Sequence, residues 1–577
     1  MGPEVGIIME IMRLLIRSSC TLRETMEIIS SATRAGLPGG IALVVHPDGT
    51  LAGVVTDGDL RRALLAGHTL DDVVEPIVVK DPIVFLSTQS YREILNEIPH
   101  RLREKGRYRG GVLEKVIVVD REHRVTEVMD FLDLWRRQVA IHRRVCVVGL
   151  GFVGLTLAVS LADVGYEVVG VDSDPDLRDL VAAGRPHFHE VGLEPLLKHH
   201  LDRRLRVEEK PPADCEIYII AVGTPLDDVH EPDLDHLRHA SKEVGAVLGY
   251  GDLVVLRSTV PLGTCRGEVL PVLEKASGLK GGSDFYLSFA PERTIEGKAL
   301  AELRALPQIV GGLNQNSTDL TVSLFREMSP SLVTTESLEE AEMVKLLNNS
   351  FRDLSFAFAN EFALMCEAFN LNAARIIQAA NKGYPRDRIP SPSPGVGGYC
   401  LKKDPYIFAQ AARRAGIPTS LSEHGRRVNE TMPGLVVRKV EKALGALRKS
   451  LRGARVFIIG FAFKGEPETS DMRHSTTLDI LEPLQALGAD VAGYDPVVPA
   501  DAIRRLGVRS AGLEEGFANA DAVLMLNNHR SYASLDIYAC LSTMNRPAVY
   551  CDTWNMFPPE EVKQVEGITY VGLGFTI

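Results

Sequence analysis

Cys400 lies in a segment suited to presenting a nucleophile. Residues 391–405 read SPSPGVGGYCLKKDP; prolines at 385, 390, 392 and 394 impose an extended approach, and Gly395, Gly397 and Gly398 permit turns closed to other residues. The thiol then arrives near the start of a helix predicted over 406–415, with Lys402 and Lys403 beside it. A helix N-terminus and two cations lower a thiol pKa and favour the thiolate, the reactive form. Free cysteine is more often a small buried hydrophobe, and that is the reading for the other seven, at 20, 146, 215, 265, 366, 540 and 551. A second group is Lys345 and Asn349, an i, i+4 pair on one helical face that runs into a long apolar helix over 351–368. A cation and an amide donor aimed at one point could stabilise an oxyanion; a surface salt-bridge and amide position is the alternative.

A third constellation binds rather than reacts. Val145-Cys146-Val147-Val148 suits a buried parallel strand, and GLGFVG follows at once. Gly149 permits the tight turn, Gly151 lets the backbone approach a pyrophosphate, and Gly154 lets the next helix, predicted over 155–164, pack on the strand. A second strand, 167–171, ends in Asp172, 21 positions after Gly151, where an acid binds the adenosine ribose and favours NAD over NADP. Strands at 217–222 and 253–256 end in small polar residues, which makes Thr224, Ser258 and Thr259 cofactor-side candidates.

These groups need several elements to position them, and the chain has room for them. Its 577 residues suggest about four domains. With 45% hydrophobic and 24% charged residues it is a folded multidomain chain, and a net charge of −12 without a basic stripe argues against nucleic acid as principal partner. The basic stretch 101–109 reads as a solvated loop. Eight scattered cysteines without C-x-x-C fit a reducing compartment, and the N-terminus lacks the features of a signal peptide, so a cytoplasmic location is expected. The run 145–165 is long and apolar enough for a membrane helix, but the glycine loop inside it divides it into strand, turn and helix, and no membrane association is expected. A third block, 455–460 followed by Phe463-Lys464, opens another βα unit whose second strand is 490–495.

From about Arg143 to Ile577 the motifs, in order, resemble the UDP-glucose/GDP-mannose dehydrogenase family: GLGFVG with Asp172, VGTP (222–225), STVPLGT (258–264), APERTIEG (290–297), EMVKLLNNSFRD (342–353), GVGGYCLKKDP (395–405) and FAFKGEPETSDMRHS (461–475). The resemblance implies a four-electron oxidation of a nucleotide sugar's C6 alcohol to a carboxylate with two NAD⁺, through a thiohemiacetal and a thioester on Cys400. It further implies oxyanion stabilisation by Lys345 and Asn349, water activation by Asp404, proton transfer and thioester hydrolysis by Glu292, and water ordering by Thr259. Glu296 matches an acidic position in only some members and ranks lower. Cofactor contacts fall to Gly149, Gly151, Phe152, Val153, Gly154, Asp172, Thr224, Ser258 and Lys403, and substrate contacts to Arg293, Lys464 and Arg473; no metal is implied. Arg293 after Glu292 is similar to members acting on UDP-N-acetylhexosamines, UDP-N-acetylmannosamine first, where UDP-glucose enzymes usually carry Phe; Tyr399 departs from the His that many acetylhexosamine members place before the cysteine. UDP-glucose is the alternative substrate. An inactive nucleotide-sensing scaffold and a two-electron oxidoreductase or epimerase are the alternative functions.

Residues 1–140 contain a repeat: VVHPDGTLAGVVTDGDL (44–60) aligns with VVDREHRVTEVMDFLDL (118–134) at an offset of 74, each reading strand, turn, strand, helix. The pattern resembles a tandem cystathionine-β-synthase-type (CBS) pair. That resemblance implies an adenine nucleotide near Gly53, Thr56 and Asp59, while Glu127 and Asp130 in the second copy repel phosphate and leave one site at most. A structural or dimerising module is the alternative. The expected architecture is α/β: a CBS pair (1–140), an NAD-binding Rossmann domain (141–335), a central helical domain with the cysteine loop (336–450) that resembles the family's dimer interface, and a UDP-binding Rossmann-like domain (451–577). A homodimer or higher assembly follows from that interface.

Overall fold

The structure, a computed structural model, describes residues 11–34, 37–105, 113, 115–131, 133–135, 144–227, 229–418 and 420–575. The first ten residues, positions 106–109 of the basic stretch and the boundary at 140 lie outside them.

The N-terminal repeat is visible in strand register. β1 (Leu15–Ile16), α1 (Leu22–Arg34), β2 (Ile41–Val45), β3 (Leu51–Thr56) and α2 (Asp57–Leu65) form one half; β4 (Val84–Leu86), α3 (Tyr91–Glu104), β5 (Lys115–Val119) and β6 (Val125–Asp130) form the other. In both, the first two strands pair parallel and the last two antiparallel. Ile41 pairs with Thr56 as Lys115 pairs with Asp130, and a bulge falls at Val44/Val45 and again at Val118/Val119. Each correspondence preserves the 74-residue offset.

Two larger sheets follow. The first contains β7 (Arg144–Val148), β8 (Glu167–Val171), β9 (Leu205–Glu208), β10 (Ile217–Ile220), β11 (Leu253–Leu256), β12 (Tyr286–Phe289), β13 (Gln308–Gly312) and β14 (Leu332–Thr334), in the order β14-β13-β12-β11-β10-β7-β8-β9. Only the β12/β13 pair is antiparallel. The second contains β15 (Arg455–Ile459), β16 (Asp490–Tyr494), β17 (Arg509–Ser510), β18 (Ala522–Met525), β19 (Ala548–Asp552) and β20 (Ile568–Gly572), all parallel, in the order β17-β16-β15-β18-β19-β20. Both contain the doubly wound order, with the switch point beside the first strand of each set. Their strands are short Val/Ile/Leu-rich runs because both faces are covered.

Helix α4 (Phe152–Asp163) begins three residues earlier than predicted and is buried on every side from Gly154 to Ala162, which accounts for its membrane-like hydropathy. No helix among the described residues is long and apolar enough to cross a membrane. Between the sheets run α5 (Leu338–Ala368), α6 (Tyr399–Arg414) and α7 (Ser420–Ala446). α5 packs on β12 and β13 and on both other helices, while α7 packs on β19 and β20, so the three connect the sheets.

Candidate active site

The glycine loop occupies the switch point between β7 and β10. A Cβ at Gly154 would lie 1.7 Å from the Gly149 carbonyl oxygen, so only glycine lets α4 approach the turn this closely. A Cβ at Gly151, the N-cap of α4, would meet nothing within 4 Å, which leaves space for a diphosphate against the first helical residues, Phe152 and Val153. Asp172 follows β8 directly and accepts from Leu150 N at 2.7 Å and Asp174 N at 3.0 Å, which fixes its carboxylate beside the loop. These residues fit a dinucleotide. Past the ends of β10 and β11, Ser258 donates to the Val222 carbonyl at 2.7 Å, and Thr224 donates to the Thr259 carbonyl at 2.5 Å while accepting from Lys403 Nζ at 2.9 Å. Lys403 thus ties the cysteine helix to the ends of β10 and β11.

Cys400 is the second residue of α6, which starts at Tyr399, seven residues before its predicted start. Gly398, the N-cap, has φ +88°, and a Cβ there would lie 2.8 Å from the Phe463 ring. Cys400 is exposed as a residue, yet the protein packed around it still penalises the charged thiolate. Burial raises the thiol pKa; Lys345 and then Lys403 pull it back, while Asp404 and Glu296 raise it. The expected net lowering by Lys402 and Lys403 is therefore corrected: burial wins, Lys345 is the leading cation, and Lys402 pairs with Asp479 at 2.6 Å.

The structure brings the other predicted groups to the same place. Lys345 and Asn349 share one face of α5, with Lys345 buried; Asn349 Nδ2 donates to Asp404 Oδ2 at 2.5 Å. Asp404 is fully buried, and its Oδ1 lies 3.5 Å from Lys403 Nζ. Glu292 is buried after β12 and held below the usual carboxylate range: burial pushes it up but is outweighed by Arg257, the Thr294 amide and Lys345. Glu296 shows the opposite balance. Burial pushes it to about 7, with Asp471 adding to the effect, and its Oε1 accepts from Thr469 Oγ1 at 2.9 Å. Two neighbouring carboxyls whose environments drive their pKa values apart suit one to hold charge and the other to carry a proton.

The C-terminal unit reaches in from the other side. Lys464 Nζ donates to the Glu296 carbonyl at 2.6 Å, and burial lowers its pKa to about 8. Arg473 is bidentate to Asp471, with Nε 3.0 Å from Oδ1 and Nη2 2.7 Å from Oδ2, and its Cζ lies 5.6 Å from the Tyr399 ring centroid. Arg293 instead hydrogen-bonds the Pro307 carbonyl. In the N-terminal module Thr56 and Asp59 cap α2 reciprocally, with Thr56 N 2.9 Å from Asp59 Oδ2. Thr56 lines a cleft of about 500 Å³ together with Arg61, Ile83, Lys115 and Ile117, from both halves, whereas Asp59 is not in its lining. No cluster of three His, Cys, Asp or Glu side chains that could hold a metal ion occurs among the described residues.

Two supporting groups escaped sequence reasoning. Arg257 pairs with Glu292 at 2.5 Å, both buried. Arg426 on α7 pairs with Asp353 at 2.6 Å and donates to the carbonyls of Val396 and Leu401, on either side of Cys400. Their signals were an arginine ending the apolar run Leu253–Leu256 and an aspartate closing NNSFRD.

The chain matches three sequence models of the UDP-glucose/GDP-mannose dehydrogenase family: its NAD binding domain at 143–329, its central domain at 339–431 and its UDP binding domain at 457–559. It is 32% identical over 434 residues to UDP-N-acetyl-D-mannosamine dehydrogenase of Pyrococcus horikoshii, covering 75% of this chain and 99% of that one. A solved structure of UDP-D-ManNAc dehydrogenase from Pyrococcus horikoshii superposes with TM-score 0.68 at 31% identity, over 75% of this chain and 99% of that one. A UDP-glucose dehydrogenase from Pyrobaculum islandicum gives 0.66 at 30% identity, over 75% and 98%.

Proposed function

This chain belongs to the UDP-glucose/GDP-mannose dehydrogenase family of NAD-dependent oxidoreductases, and from that premise we propose that it oxidises the C6 alcohol of a UDP-N-acetylhexosamine, UDP-N-acetylmannosamine first, to the carboxylate through a thioester on Cys400. The carrying observation is convergence: Cys400 on α6, Lys345 and Asn349 on α5, Asp404 one turn beyond the cysteine and Glu292 after β12 are separated in sequence but electrostatically and hydrogen-bond coupled in the fold. NAD⁺, when bound at the glycine loop, supplies the hydride acceptor for each of the two oxidations.

The chain's own residues do the rest. Lys345 and the Asn349 amide hold developing negative charge on the C6 oxygen. Cys400 Sγ bonds to C6 of the aldehyde. Hydrolysis of the resulting thioester returns the C6–S electron pair to sulfur, with water ordered by Asp404 and Thr259 and its proton taken by Glu292. Lys464, Arg473 and Arg293 serve the UDP-sugar. The acetylhexosamine preference is supported by APERTIEG and by the name of the Pyrococcus horikoshii relative. All eight cysteines are free, in keeping with a reducing cytoplasm.

The N-terminal repeat is a CBS pair, and its cleft takes an adenine nucleotide, with Arg61 and Lys115 supplying positive charge for phosphate. A second copy of the chain covers the exposed apolar stripe of α5 formed by Leu347, Phe351, Phe358 and Met365.

The deciding measurement is NADH released per sugar in excess NAD⁺, with two expected. A value of one would leave a two-electron oxidoreductase, and none a scaffold or an epimerase. UDP-ManNAc should be oxidised faster than UDP-GlcNAc or UDP-glucose, and a preference for UDP-glucose would reverse the ordering. Cys400→Ser should abolish uronate formation; undiminished uronate would remove the covalent step.

A further inference from the structure

Glu292 is gripped on both oxygens by groups with no freedom to yield. Arg257 follows the last residue of β11 and is 1% exposed. Its Nη2 lies 2.5 Å from Glu292 Oε2, and its Nη1 donates at 3.1 Å to both the Ala290 carbonyl and Gln308 Oε1. Gln308 is itself anchored, donating from Nε2 to the Pro291 and Ile309 carbonyls at 3.2 and 2.9 Å. The Phe325 ring lies 5.3 Å from the guanidinium carbon. Glu292 Oε1 meanwhile accepts from Thr294 N at 2.7 Å. A carboxylate oxygen offers about two acceptor sites, so each oxygen keeps one for a ligand or water.

This arrangement is poorly explained as a stabilising device. A buried ion pair is weak grounds for stability, since apolar residues of similar volume often serve as well. Its place in the chain is more informative: Arg257 directly precedes Ser258 and Thr259, and its partner is a carboxylate assigned to the reaction. A guanidinium does not deprotonate in proteins, so the positive charge at Glu292 Oε2 is permanent, whereas a lysine could lose its proton in the same setting.

We propose that Arg257 is a positioning residue that fixes Glu292 as a carboxylate in one orientation, so that it works in thioester hydrolysis as a base and not as a proton donor. The inference rests on the reading of Glu292 as a participant in that step. Water oxygen bonds to C6, the C6–S bond breaks with its electron pair on Cys400 Sγ, one water proton passes to Glu292, and the second leaves to solvent as the product acid ionises. The balance of burial against Arg257, the Thr294 amide and Lys345 agrees with this assignment, as does the proton-carrying tendency of neighbouring Glu296.

The test is kcat against pH for the full-length protein and for Arg257→Met, Arg257→Lys, Glu292→Gln and the Arg257→Met/Glu292→Gln double variant. Without Arg257 the protonated form of Glu292 gains ground. The acidic limb of Arg257→Met should move up by about one pH unit, a tenfold loss on that limb, with KM for UDP-sugar changed less than about threefold. Arg257→Lys should restore the limb to within a few tenths of a unit, and the double variant should be no slower than Glu292→Gln alone. A uniform loss at every pH, or additive losses in the double variant, would overturn the positioning role while leaving Glu292 in place. A Glu292→Gln protein as fast as the parent would overturn the reading of Glu292 and this inference with it. If Arg257→Met does not fold, Arg257→Gln carries the same expectation, and an unmoved limb in that variant overturns the proposal.

Discussion

Lys345 is the residue whose charge does most for the thiol. Burial raises the Cys400 pKa, and Lys345 is the largest opposing influence, ahead of Lys403. Removing it should raise the thiol pKa further, so Lys345→Met should alkylate with iodoacetamide more slowly at pH 8, by about tenfold for each unit of rise. The alkylation profile should move to higher pH, and a profile that stays in place would show that the cation does not act on the sulfur. Cys400, Lys345 and Asn349 were legible because residue type and spacing suffice to suggest them. Glu292 and Asp404 were visible only through family resemblance, since an isolated loop carboxylate has no distinguishing pattern. For Glu296 the sequence carried no sign of its pKa of about 7, which comes from burial and from Asp471, 175 positions away in sequence and joined to it only in the folded chain.

At the scale of elements, strands were easier to read than the helix that matters most. The predicted strands 167–171 and 253–256 coincide with β8 and β11, because β-branched and leucine runs buried on both faces are written directly in sequence. The start of α6 was misplaced because Pro405 resembles a first-turn proline but lies inside the helix. A proline there cannot donate to the carbonyl four residues back, that of Leu401. Arg426 Nη1 supplies the missing donor at 3.2 Å, and its Nη2 holds the Val396 carbonyl at 3.2 Å. The same guanidinium pairs with Asp353, which also accepts from Asn429 Nδ2 at 2.9 Å, while Asn360 binds Asn429 and the Ser393 amide. The cysteine segment is therefore fastened from α5 and α7 by a buried network. Arg426→Met would leave Asp353 as an unpaired buried carboxylate and free two carbonyls, a loss of about 3–5 kcal/mol. Denaturant unfolding should show that loss. Unchanged stability would mean the network is dispensable.

At the scale of the whole molecule, the N-terminal module is built into the core of the NAD-side sheet. Leu95, Phe131, Leu134 and Trp135 belong to the same apolar cluster as Tyr250, Tyr286 and Val255. Phe131 meets the Tyr250 and Tyr286 rings at 6.4 and 5.8 Å, Trp135 Nε1 donates to the Gly251 carbonyl at 2.8 Å, and Arg92 lies 3.7 Å from Glu216. The repeat within this module was legible from its 74-residue offset, but its docking was not: each docking side chain is an ordinary core residue until the partner surface is known. The contact lies at the start of β11, the strand whose other end leads into Arg257, Ser258 and Thr259. The second half of the module, which makes this contact, also supplies Ile83, Lys115 and Ile117 to the proposed nucleotide cleft. Trp135→Ala removes a large side chain that is 2% exposed, at a cost of about 3–5 kcal/mol. Calorimetry should then split one melting event into two, with the N-terminal module melting first. AMP at about a hundred times its dissociation constant adds about 2.7 kcal/mol to the state that binds it. In the parent protein, where the module and sheet share a core, AMP should raise the whole transition; in Trp135→Ala it should raise only the first. A single transition in the variant, unmoved from the parent, would show that Trp135 does not join the two units, and the absence of any AMP effect on either protein would remove the nucleotide from the cleft.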